Sequence, residues 1–129
     1  MIILKSAEEI ALMKKAGEIV RDVLALLQEN VKEGVTTEKL DRIAYEYIKK
    51  CGAEPSFLGY DGFPASICAS VNEQVVHGIP SKRVLVEGDI VSIDVGTIFN
   101  GFQGDAARTF LVGNVSEEKR KLQGGIRRF

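Results

Sequence analysis

Apolar residues recur at helical spacing early in the chain and at alternate positions later, and this change of period divides it. Ser6 and Glu9 form a capping box, and Ile10, Met13, Val20, Leu24 and Leu27 then follow on one stripe, predicting an amphipathic helix to about Gln28. Asn30 to Val35 reads as a connection, with Gly34 as the break. Thr36 or Thr37 caps a second helix whose Leu40, Ile43, Ala44, Tyr47 and Ile48 share a face, ending at Cys51-Gly52. Pro55 then begins a loop. From Ser66 onwards short alternating segments predict strands at Ile67 to Val71, Gln74 to His77, Ile90 to Phe99 and Phe102 to Val112. Two helices followed by an antiparallel sheet imply an α+β fold, with the helices covering one sheet face.

The last two strands are joined by Asn100-Gly101, a strong signal for a type I′ hairpin turn. With that turn, Phe99 pairs with Phe102, Thr97 with Gly104, Gly96 with Asp105 and Asp94 with Ala107. Cross-strand partners share a face, as do residues two apart, so Asp94 and Asp105 become diagonal neighbours roughly 7 Å apart at the backbone. Two surface aspartates in a hairpin would be the plain interpretation. However, Asp94 sits inside an alternating strand, between Ile93 and Val95, where aspartate is disfavoured, and such departures tend to mark functional sites. Paired anions are relieved by a shared proton or a bound cation. Oxygen donors alone leave the cation open among magnesium, manganese, calcium and others. Arg108 falls on the opposite face from Asp105 and reads as structural.

Composition narrows the classes. The chain has 129 residues, 45% hydrophobic and 27% charged, as expected for one globular domain. A net charge of −1 argues against broad nucleic-acid binding. No segment reads as membrane-spanning. The four residues before Lys5 are too short for a signal peptide, so a cytoplasmic location is expected, with Cys51 and Cys68 as free thiols.

Gly88 to Gly113, GDIVSIDVGTIFNGFQGDAARTFLVG, together with Phe57 to Pro80, FLGYDGFPASICASVNEQVVHGIP, resembles the bacterial type I methionine aminopeptidases of the pita-bread fold. The likeness runs from about Met1 to Leu122 and corresponds to the N-terminal half of that fold. It implies removal of N-terminal methionine from peptides and nascent proteins by a dinuclear metal centre, the metal being cobalt, manganese, iron or zinc. It further implies that Asp94 chelates one ion and Asp105 bridges both, that His77 contacts substrate, and that Tyr60, Phe63 and Cys68 line the methionine pocket. Taken as residues alone, His77 beside Gly-Ile-Pro also suits a loop histidine bonded to backbone. Tyr60 and Phe63 equally suit hairpin-flanking aromatics around Asp61-Gly62, and Cys68 a core thiol.

In the resembled family a histidine and two glutamates from the second half complete the metal site, and this sequence contains none of them. Two aspartates alone leave a divalent ion mostly hydrated. The expectation is a chain inactive or strongly impaired by itself. The alternative is a self-associating structural fragment that binds metal without turnover, with a homodimer replacing the absent half around a two-fold axis. A ligand-stripped binding module is a third option, disfavoured by retention of both aspartates. Ser116, Glu117 and Glu118 read as the start of a new helix, broken at Gly124-Gly125, so residues 1–122 form the half-domain and 123–129 a basic and aromatic tail outside the family pattern.

Overall fold

The computed structural model describes residues 6–72 and 78–113. Helix α1 spans Ala7–Asn30 and is opened by the expected capping box. The Ser6 side chain accepts from the Glu9 N–H and the Glu9 carboxylate accepts from the Ser6 N–H. Helix α2 spans Thr37–Lys50, with Thr36 as its cap accepting from the Lys39 N–H, acid in its first turn and Lys49 and Lys50 in its last, as the helix dipole favours.

Four strands follow among the described residues: β1 (Glu54–Pro55), β2 (Ile67–Val71), β3 (Ile90–Phe99) and β4 (Phe102–Leu111). All pairings are antiparallel and all involve β3. β4 lines one side of it, while β2 and β1 share the other, against Val91–Val95 and Thr97–Ile98 respectively. The hairpin turn has positive φ at both central residues, 49° at Asn100 and 86° at Gly101, as type I′ geometry demands. This turn brings Phe99 opposite Phe102 and sets the register of the whole hairpin.

Alternation along β3 separates two faces. Val91, Ile93, Val95 and Thr97 are fully buried and face the helices, where they meet Ile19, Val20, Val23, Leu24 and Leu27 of α1 and Leu40, Ala44 and Ile48 of α2. α1 is seated on the hairpin at Thr97, whose hydroxyl donates to the Ala16 carbonyl at 3.1 Å, and at Gly104 beside it. Ser92 and Asp94 occupy the other, open face. α2 is tied to the sheet through Asp41, whose Oδ1 accepts from the N–H groups of Ser66 (2.7 Å) and Ile67 (3.1 Å) at the start of β2.

Several expectations require correction. Ile10 and Met13, assigned to the buried stripe of α1, are exposed at 48% and 40%. Both precede Ala16, where α1 is bonded to the hairpin near its turn. Pro55 belongs to β1 rather than opening a loop, paired with Thr97 at a position where its missing N–H costs little. Tyr60 and Phe63 flank a 3-10 turn at Tyr60–Gly62, not a hairpin. The first helix also runs to Asn30 rather than Gln28. The strand expected at Gln74 to His77, the helix expected from Ser116 and the tail 123–129 lie outside the described residues.

Candidate functional site

Register decides where the two aspartates point. Asp94 pairs with Ala107 and Gly96 with Asp105, so the four positions form two adjacent rows on the open face of the sheet. Both aspartates are exposed, and the other two corners carry only alanine and glycine, with the Ser56 hydroxyl and the Phe57 ring lying over Gly96. The rows extend across β3. Cys68 pairs with Asp94, giving the row Cys68, Asp94, Ala107. The Ser56 N–H donates to the Gly96 carbonyl at 3.0 Å, giving the row Ser56, Gly96, Asp105.

Beside these rows opens a cleft of about 840 Å³ lined by residues including Phe57, Tyr60, Phe63, Cys68, Asp94 and Ile98. Its wall is mainly apolar. Phe57 and Phe63 meet edge to face, with ring centroids 6.4 Å apart, and this contact sets the wall formed by the segment between β1 and β2. Tyr60 is 77% exposed and stands at the rim. Cys68 is nearly buried, and burial first, then the charge of Asp94, pushes its thiol above the ordinary range. It is therefore a neutral, polarizable wall atom at neutral pH.

Four of the residues named from sequence, Tyr60, Phe63, Cys68 and Asp94, thus border one cleft. Asp105 lies on the same sheet face but does not line the cleft, and His77 lies outside the described residues. Sequence reasoning missed Ile98 and Gln103. Both follow from the register it had already assigned, since 94, 96 and 98 share a face with 103, 105 and 107. Ser56 and Phe57 also line the cleft, and their placement follows from the short β1 pairing, which carries no periodic signal.

The donor set suits a hard or borderline divalent cation as part of a coordination shell. Both Asp94 and Asp105 offer carboxylate oxygens from neighbouring rows, while among the described residues no group of three or more His, Cys, Asp or Glu side chains gathers.

Residues 11–124 match metallopeptidase family M24. The chain is 61% identical to a methionine aminopeptidase of Clostridium acetobutylicum over 95% of its own length and 49% of that protein's. Its fold superposes on methionine aminopeptidase structures from Thermotoga maritima (TM-score 0.89, 42% identity, covering 96% of this chain and 50% of that one) and Rickettsia prowazekii (TM-score 0.89, 38% identity, 96% and 50%). The chain spans about half the length of these relatives, and its two helices and antiparallel sheet match half of their pita-bread fold.

Proposed function

Because this chain belongs to metallopeptidase family M24, we propose that Asp94 and Asp105 are its contribution to a divalent-metal site of a methionine aminopeptidase, and that the adjoining cleft receives the side chain of a peptide's N-terminal methionine. The observation that carries this reading is the register of the β3–β4 hairpin, which turns both carboxylates to one open face at the edge of an apolar cleft. Phe57, Phe63 and the neutral Cys68 thiol form a soft wall suited to a thioether, and the exposed Tyr60 borders it. His77, next to the Gly78-Ile79-Pro80 segment, contacts the substrate and stabilises the charge developing at the scissile carbonyl.

When bound, a pair of divalent ions, cobalt, manganese, iron or zinc, supplies an acidified water and polarises the peptide carbonyl. Asp94 and Asp105 would be the carboxylates of this chain that hold them. Two carboxylates complete only part of the shell of any of these ions, so by themselves they hold metal weakly and turnover by the chain alone is absent or strongly impaired. Release of methionine from a Met-Gly-Xaa peptide, assayed with and without added manganese or cobalt, tests this. The expected result is no release. Robust release that disappears in Asp105→Asn would overturn the inactivity while upholding the site.

A second reading is favoured by Tyr60, Ile79 and Ile98, which line the cleft and stay exposed. In it the chain is a self-associating structural fragment whose second copy covers that face and brings two further aspartates to it. Sedimentation that shows only monomer at high concentration removes this alternative.

A further inference from the structure

Position 96 lies between the two aspartates on the open face, yet it carries no side chain. The space is taken from the neighbouring strand: a β-carbon on Gly96 would collide with the Ser56 hydroxyl oxygen and come within 3.0 Å of the Phe57 ring. Pairing of Glu54 with Ile98 and Pro55 with Thr97 continues into the bond from the Ser56 N–H to the Gly96 carbonyl, so Ser56 lies opposite Gly96. Gly96 in turn lies opposite Asp105. Glycine in the middle of this row lets the outer two side chains approach each other.

The Ser56 hydroxyl oxygen is buried and is the one buried side-chain nitrogen or oxygen without a hydrogen-bond partner among the described residues. A buried donor left unpaired is unfavourable, so an acceptor brought to this hydroxyl is stabilised there. Ser56 and Asp105 lie two strands apart, but the hydroxyl stands against the position that a β-carbon on Gly96 would take, one cross-strand spacing of about 4.5–5.5 Å from the β-carbon of Asp105, so rotation of the Asp105 side chain carries its carboxylate toward the hydroxyl.

We propose that Ser56 is a positioning residue for Asp105, its hydroxyl reaching across Gly96 to donate to one carboxylate oxygen while the other oxygen faces a cation. This rests on the reading of Asp105 as a metal ligand and extends it. A carboxylate held at one oxygen loses its freedom to rotate, so the second oxygen is presented in a fixed direction. Gly96 and Ser56 are matched parts of this device, since any side chain at 96 expels the hydroxyl.

Manganese(II) titration of the full chain, followed by the loss of the free-ion electron paramagnetic resonance signal, tests it in the wild type, Ser56→Ala, Ser56→Thr and Asp105→Asn. Ser56→Ala is expected to weaken binding by roughly tenfold, the lower range for loss of a partner to a ligand. Ser56→Thr, which keeps the hydroxyl, retains most of the affinity. The metal-free thermal midpoint of Ser56→Ala stays at or above that of the wild type, which separates positioning from a merely structural contribution. Unchanged manganese affinity in Ser56→Ala overturns the proposal and leaves the metal site standing. If Asp105→Asn binds manganese as tightly as the wild type, the site itself falls, and this inference with it.

Discussion

A β-carbon on Gly104 would lie 2.8 Å from the carbonyl group of Ala16, so α1 rests directly on the backbone of the hairpin there. Thr97, the cross-strand partner of Gly104, donates its hydroxyl to the same carbonyl. The helix is thereby seated on the face opposite the aspartates, which leaves theirs open.

Gly104→Ala is accordingly expected to destabilise the chain by about 1–3 kcal/mol, because the clash is with backbone and the whole helix must shift. Urea unfolding measures this. A midpoint equal to the wild type would show that α1 is not held at this point.

The hairpin turn should be equally sensitive to its own chemistry. Gly101 has φ of 86°, so Gly101→Ala is expected to cost about 1 kcal/mol or more, from the left-handed backbone alone, since open space surrounds the position. Asn100→Gly, which tolerates the same conformation, should stay close to the wild type in the same unfolding experiment.

Asp41 gives a pH dependence. Burial, the largest influence, raises its folded pKa above the ordinary 3.8 despite the lowering effect of the Ser66 and Ile67 N–H groups. With the folded value above the unfolded one, the native state binds the proton more tightly. Its contribution to stability is therefore full below pH 3.8 and declines as pH rises through the raised value. Asp41→Asn keeps an oxygen for the two N–H groups and removes the titration, so the decline should flatten over that window. Thermal midpoints against pH for both proteins report it, and superimposable slopes would refute it.

Asp94→Asn and Asp105→Asn should separate fold from chemistry. Both side chains are exposed on the open sheet face, so each change is expected to alter unfolding free energy by no more than about 0.5 kcal/mol. Manganese binding should fall sharply in both. A variant that binds normally would remove that residue from the metal site.

Much of the fold was readable before any coordinates, because its signals are local. The Ser6–Glu9 capping box, the Thr36 cap and the Asn100-Gly101 turn each act over a few residues, and the alternation of Val91, Ile93 and Val95 with Ser92 and Asp94 records which face is dry. A tight turn transmits its register along both strands, so the shared face of Asp94 and Asp105 followed from a dipeptide.

Tertiary structure decided what depends on partners distant in sequence. Ile10 and Met13 match the helical stripe but stay exposed, because a helical period marks the face that can be buried and not what lies against it. Two-residue β1 has no period to detect, and its existence rests on the facing edge of β3. The cleft, and the Ser56 hydroxyl lodged where Gly96 has no side chain, come from that pairing. Periodicity and turn chemistry are written in neighbouring residues, whereas a cavity is the space left between segments once each has found what it packs against.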